Sequence, residues 1–214
     1  MVKPNAIIVG FPRCGTTYLY GLLKQHPEIS VSDKKEINFF NVKPYFLANP
    51  EIPSPRIFKS SEWYLNHFKK NKVIIDFAMM SSYDVHAIYR VKHLLGDVKI
   101  IFIKREKESH KKSIKNLVKA HNGKEKNIEK YSDFEQYIQP YKKIFSNVYT
   151  TSLEEIKNKQ GIEKLLKFLG VKSYPLNQNV SKNTIDETRK EFTFFNFIKR
   201  NLYYFIAHII KNFI

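Results

Sequence analysis

Cysteine is almost missing from this chain: Cys14 stands alone among 214 residues. That excludes an internal disulfide and suits a reducing cytosol. Acidic residues are also scarce, 20 against 37 lysines and arginines, which leaves a formal net charge of +17. An excess of that size fits a polyanionic partner or an anionic membrane surface, and equally a proteome rich in Lys, Asn and Ile. Zinc-finger spacing is lacking, as is the aromatic signature of an RNA-binding domain, so nucleic acid is a minor candidate. The first apolar run begins at Ala6, so no signal peptide or N-terminal anchor is expected ahead of it. The most apolar stretch, 192–214, is broken by Lys199, Arg200, His208 and Lys211. Those charges argue against a membrane span and for an interfacial helix, with Phe195, Ile198, Leu202, Phe205, Ile209 and Phe213 on one face. A helix closing over the domain's own core is the other reading.

What the chain does have is concentrated between Ala6 and Asn41. Ala6-Ile7-Ile8-Val9 is the short apolar run of a buried parallel strand. Gly10-Phe11-Pro12-Arg13-Cys14-Gly15-Thr16-Thr17 follows at once, and Tyr18, Leu19, Leu22 and Leu23 then fall at helical spacing. A strand, a glycine-bounded loop and a helix in that order aim backbone N–H groups and a positive helix end at one point, which suits phosphate or sulfate. Thr16 and Thr17 add hydroxyls, and Arg13 adds a forked charge. Cys14 reads as a space-filler in this loop rather than as a reactive thiol.

Further strands are predicted at Ile29–Val31, Val73–Phe77, Val98–Ile103 and from Asn147. Helices are predicted over 62–70, over 86–95 with Ala87, Val91, Leu94 and Leu95 inward, and over 161–171. Residues 42–62 hold four of the nine prolines and read as a loop that would shape an acceptor cleft. Arg105 ends the third strong strand, and Ser113 comes eight residues later, two turns into the next helix. Side chains so spaced can converge on one phosphate. Residues 99–130 carry 11 Lys or Arg against 4 acids, so the surroundings of this second anion site are strongly positive. His110 lies close enough to serve as an alternative base, but beside so many lysines it is expected to be solvated.

The Gly10–Thr17 loop, followed by Leu22-Leu23, His26-Pro27 and Lys35-Glu36-Ile37-Asn38-Phe39-Phe40, resembles the sulfotransferases that use 3′-phosphoadenosine 5′-phosphosulfate (PAPS), particularly the carbohydrate, heparan-sulfate-like type. The resemblance implies that Arg13, Cys14, Gly15, Thr16 and Thr17 hold the 5′-phosphosulfate end of the donor and that Glu36 is the base on the acceptor hydroxyl. It also implies that Arg105 and Ser113 grip the 3′-phosphate, with Lys182, in the Asn179–Asn183 stretch, as a lower-ranked contact. PAP would be the product, and no metal is needed. The family's lysine and proline after the strand that ends near Asp76 are both absent here, so no catalytic lysine is carried over from that segment. Without the resemblance, Glu36 beside Lys34 and Lys35 reads as a solvated carboxylate, ionised unless buried.

The reading is therefore an α/β, P-loop-like three-layer fold, with a mostly parallel central sheet flanked by helices, over residues 1–191. An amphipathic helix over 192–214 would make peripheral membrane contact. The expected activity is sulfuryl transfer to a hydroxyl of a carbohydrate or glycolipid, in the cytoplasm or at the inner face of a membrane. Two rivals stand beside it. Gly10-x4-Gly15-Thr16 and the strand ending near Asp76 have the outline of a P-loop kinase, although the lysine that reaches the β/γ-phosphates is missing before the threonine. A non-enzymatic membrane or polyanion binder would use only the charge and the tail.

Overall fold

A computed structural model describes residues 1–41, 59–120 and 128–180. Five strands, β1 (Ala6–Ile8), β2 (Ile29–Val31), β3 (Val73–Phe77), β4 (Lys99–Lys104) and β5 (Val148–Ser152), form one sheet in the order β2-β3-β1-β4-β5. Every neighbouring pair is parallel; Ile7, for example, lies between Asp76 and Ile100. The predicted strands are therefore present, and the mostly parallel sheet is parallel throughout its described pairs. Parallel strands covered on both faces need side chains that are apolar in both directions. Ala6–Val9, Ile75, Phe77 and Ile100–Ile103 supply them, all fully buried.

The helices are α1 (Thr16–Leu23), α2 (Ser61–Leu65), α3 (Val85–Leu95), α4 (Lys107–Ala120), α5 (Ile128–Ser132), α6 (Glu135–Ile144) and α7 (Lys159–Leu169). Their ends follow local chemistry. The Asp84 carboxyl accepts from His86 N–H at the start of α3, and the Asn158 side chain accepts from Gly161 N–H at the start of α7. Gly170, at φ 82°, lets the chain leave α7 through the left-handed region. The helix predicted over 62–70 stops at Leu65; the α2 start at Ser61 is capped by the Ser60 hydroxyl on Trp63 N–H. Residues 42–58, Lys182 and the 192–214 helix lie outside the described residues.

In this strand order, the chain moves from β1 to one side of the sheet and from β4 to the other. A doubly wound sheet opens its ligand crevice at such a switch, beyond the carboxyl ends of the strands. The Gly10–Gly15 loop leaves β1 there, and Arg105 follows β4 there.

Candidate active site

The loop after β1 is a turn with two left-handed residues, Arg13 at φ 66° and Gly15 at φ 86°. At Gly15 the positive φ favours glycine, and a Cβ there would also press on the flexible end of the Leu153 side chain. Cys14 N–H turns back onto the Phe11 carbonyl at 3.3 Å, and its thiol is buried, which pushes its pKa up. Gly15 has no side chain with which to cap α1, and no acid lies in the helix's first turn. The positive end of α1 is therefore offset by no acid of its own. The Thr16 hydroxyl is buried and donates to the Met79 sulfur. Thr17 is less enclosed and accepts from Lys35 Nζ at 3.1 Å.

The two predicted anion sites meet, with partners exchanged. Arg13 Nε donates to the Ser113 hydroxyl at 3.0 Å, although 100 residues separate the two. Arg105 Nε donates to Ser109 at 2.9 Å, and its Nη1 reaches the Arg13 carbonyl oxygen at 3.3 Å. Arg105 and Ser113 thus do not bond each other directly; the loop arginine comes between them. His110, expected to be solvated, is instead fully buried. Its Nε2 lies 2.9 Å from the Pro12 carbonyl and its Nδ1 lies 2.8 Å from the Ser132 hydroxyl. A carbonyl only accepts, so Nε2 carries the proton and Nδ1 accepts from serine in the neutral ring. Burial lowers the pKa of this ring, and nearby Arg105 lowers it further against the pull of the Pro12 bond. His110 is committed to holding the loop.

Glu36 lies on a stretch anchored by its neighbours. Ile37, Phe39 and Phe40 are buried, with Phe39 stacked on Tyr64 at 4.6 Å and Phe40 edge-on to it at 5.0 Å. Arg90 fastens the Phe39 carbonyl at 3.3 Å. Glu36 stays partly exposed between these anchors, with Asn38 donating to one carboxylate oxygen at 3.1 Å and Lys35 Nζ 3.7 Å from the other. Beneath the stretch, the Tyr64 hydroxyl donates to Asp76 Oδ2 at 2.9 Å, while Asp76 Oδ1 has no hydrogen-bond partner among the described residues. Burial pushes the Asp76 pKa up to about 7, and the Glu36 charge adds to the rise.

Lys35 and Tyr64 are residues that sequence reasoning left out of the site, whereas His110 was weighed there as an alternative base and Asp76 only as part of the kinase outline. Lys35 had a local signal, its place directly before Glu36. The kinase outline is not met in its metal-holding parts, since Asp76 is enclosed under Tyr64 and the Thr16 hydroxyl is turned to Met79.

The fold has close solved counterparts. A sulfotransferase from Alicyclobacillus acidocaldarius superposes with a TM-score of 0.70 at 18% identity, covering 86% of this chain and 88% of that one. The chain has the sulfotransferase fold. The same fold is found in the sulfotransferase domain from the curacin biosynthetic pathway (TM-score 0.58, 15% identity, 85% of this chain and 79% of that one). It is found again in the sulfotransferase domain of the Synechococcus PCC 7002 olefin synthase (TM-score 0.59, 18% identity, 84% and 78%). In sequence, the chain is 37% identical over 67 residues to the membrane-associated sulfotransferase kil1 of Dictyostelium discoideum. That match spans 31% of this chain and 12% of the relative. No protein-family profile matches the sequence. Among the described residues of this sulfotransferase fold, no helix is long and apolar enough to cross a membrane.

Proposed function

We propose that the chain transfers a sulfuryl group from PAPS to a hydroxyl of a carbohydrate or glycolipid. The observation that carries this reading is the 3.0 Å bond from Arg13 to Ser113, which joins the loop after β1 to the helix after β4. A ligand with anionic groups at two places suits such a joined site better than a single phosphate does. The start of α1, with the Gly15 turn, fits the 5′ end of the donor, and Arg105 with Ser113 fits its 3′-phosphate. Bound there, the donor supplies an activated sulfuryl group.

The chain's own contribution is positional and electrostatic. Glu36 takes the proton of the acceptor hydroxyl, and Arg13 with the loop N–H groups compensates the charge of the transferring group. Lys182 is a further candidate for the 3′-phosphate. The carbohydrate or glycolipid acceptor rests on the resemblance of the 35–40 stretch alone, and a peripheral membrane position rests on the composition of 192–214. The enzyme is proposed to work in the cytoplasm, at the inner face of a membrane where that contact forms.

Calorimetry with PAP and ATP, each with and without magnesium, tests the donor. PAP is expected to bind without magnesium and ATP not to bind, and magnesium-dependent ATP binding in place of PAP binding would end this reading. A radiolabelled-donor screen over saccharide and glycolipid extracts then tests the acceptor. Glu36→Gln is expected to lower transfer by roughly 10²–10⁴-fold, the range of a lost general base, while PAP affinity is kept. Unchanged transfer in that variant would leave only the binding reading.

A further inference from the structure

Arg13 is directed at Ser113, so its guanidinium is engaged on the β4 side of the crevice. On the Glu36 side, among the described residues, the cation beside the carboxylate is Lys35. Its Nζ donates to Thr17 in the first turn of α1 and sits 3.7 Å from the Glu36 carboxylate, and its side chain is only 14% exposed. It therefore links the helix end where the donor's 5′ group is proposed to lie with the residue proposed to take the acceptor proton. A lysine in that position offers a compact point charge and three rotatable donors, and both present partners are acceptors that an incoming oxyanion can replace.

We propose that Lys35 is a catalytic residue of the sulfuryl transfer, its ammonium meeting the oxygen that leaves with the 5′-phosphate. The inference rests on the PAPS reading above. In the step, the acceptor O–H proton passes to Glu36 and the acceptor oxygen bonds to sulfur. The bond from sulfur to the bridging oxygen breaks, and its electron pair stays on that oxygen as part of the 5′-phosphate of PAP. Lys35 gives no proton away; its ammonium faces the charge that appears as the bond breaks. Burial lowers the lysine's pKa, and the adjacent Glu36 carboxylate opposes that fall, which favours the ammonium while Glu36 is charged.

This role has an equilibrium signature that needs no acceptor. The leaving oxygen carries its charge in PAP and is tied up in the phosphate–sulfate anhydride in PAPS, so a group aimed at it holds product more tightly than donor. Calorimetric titration of Lys35→Met and Lys35→Arg with PAP and with PAPS reads this directly. Lys35→Met is expected to lose at least about tenfold in PAP affinity and less than about threefold in PAPS affinity, with Lys35→Arg recovering part of the difference, as for one lost oxyanion donor. Aminoethylation of Lys35→Cys, selective because Cys14 is buried, is expected to restore the PAP preference. Equal weakening of both ligands in Lys35→Met would show a structural tether between Thr17 and Glu36 and overturn the inference, as would no weakening of either. If the wild-type chain binds neither nucleotide, the PAPS reading itself has failed and the role of Lys35 falls with it. That outcome is told apart by the wild-type titration alone.

Discussion

Asp76 carries a carboxyl that β3 holds fully buried, bonded through one oxygen to Tyr64. Its pKa rises from 3.8 to about 7, first because burial disfavours the charged form and then because Glu36 is near. The unfolded chain ionises this group above roughly pH 4, while the folded chain keeps its proton up to about 7. Between those values the folded state binds more protons, so this residue's contribution to stability falls as pH rises and levels off above about 7. The full swing is on the order of 4 kcal/mol. Asp76→Asn keeps an acceptor for Tyr64 and removes the titration. Relative to wild type, the variant is expected to gain stability steadily between about pH 4 and pH 7, on top of any constant cost of burying the amide. Urea unfolding at pH 4, 5.5 and 7.5 measures it, and a difference that does not change with pH would contradict the assignment. The same residue explains why the kinase outline misleads at the sequence level. An acid near the end of an apolar strand looks open, and only the fold brings Tyr64 over it.

At the scale of elements, the first turns of α4 act as a brace for the loop after β1. His110 takes the Pro12 carbonyl, Ser113 takes Arg13, and Arg105, just ahead of the helix, takes the Arg13 carbonyl. His110→Ala removes a buried ring and leaves the Pro12 carbonyl without its partner, a cost of roughly 2–4 kcal/mol. PAP affinity is expected to fall as well, because the loop that carries Arg13 and Gly15 loses a fixed point. Denaturant unfolding and PAP titration in the cold, where the variant stays folded, separate the two effects; full PAP affinity would mean that the loop holds its shape unaided. Much of this element was legible in the sequence. The β-branched runs at 6–9, 73–77 and 98–103 announced the strands, and the spacing of Arg105 and Ser113 announced a site after the third of them. The exchange of partners was not legible, because Arg13 reaches Ser113 from 100 residues away. Neither was the burial of His110, whose partners lie on the β1 loop and on α5. α6 also left a weak trace. Pro140 lies inside it and only Ile138 and Tyr141 are buried on its core side, too short a pattern to read as a helix.

For the whole molecule, the excess of 17 positive charges bears on how fast an anion arrives more than on how the chain folds. The fold gives that charge a direction. Lys112, Lys115 and Lys119 are exposed on α4, three and four residues apart and so on one face, and the same helix carries Ser113 toward the loop. A donor with phosphate and phosphosulfate groups would feel this field within a distance of about 10 Å at 0.1 M salt and much less at higher salt. The PAP association rate is therefore expected to fall several-fold between about 50 and 300 mM KCl. The combined Lys112→Gln, Lys115→Gln, Lys119→Gln variant should associate more slowly at low salt and respond less to added salt. Its dissociation rate should stay near that of wild type, because steering acts on encounter whereas Arg13, Ser113 and Arg105 act on the bound state. Stopped-flow binding at several salt concentrations separates the two rates. A slowed association with a flatter salt response would assign the lysine face to capture of the donor. A faster dissociation with unchanged association would move those lysines into the site itself.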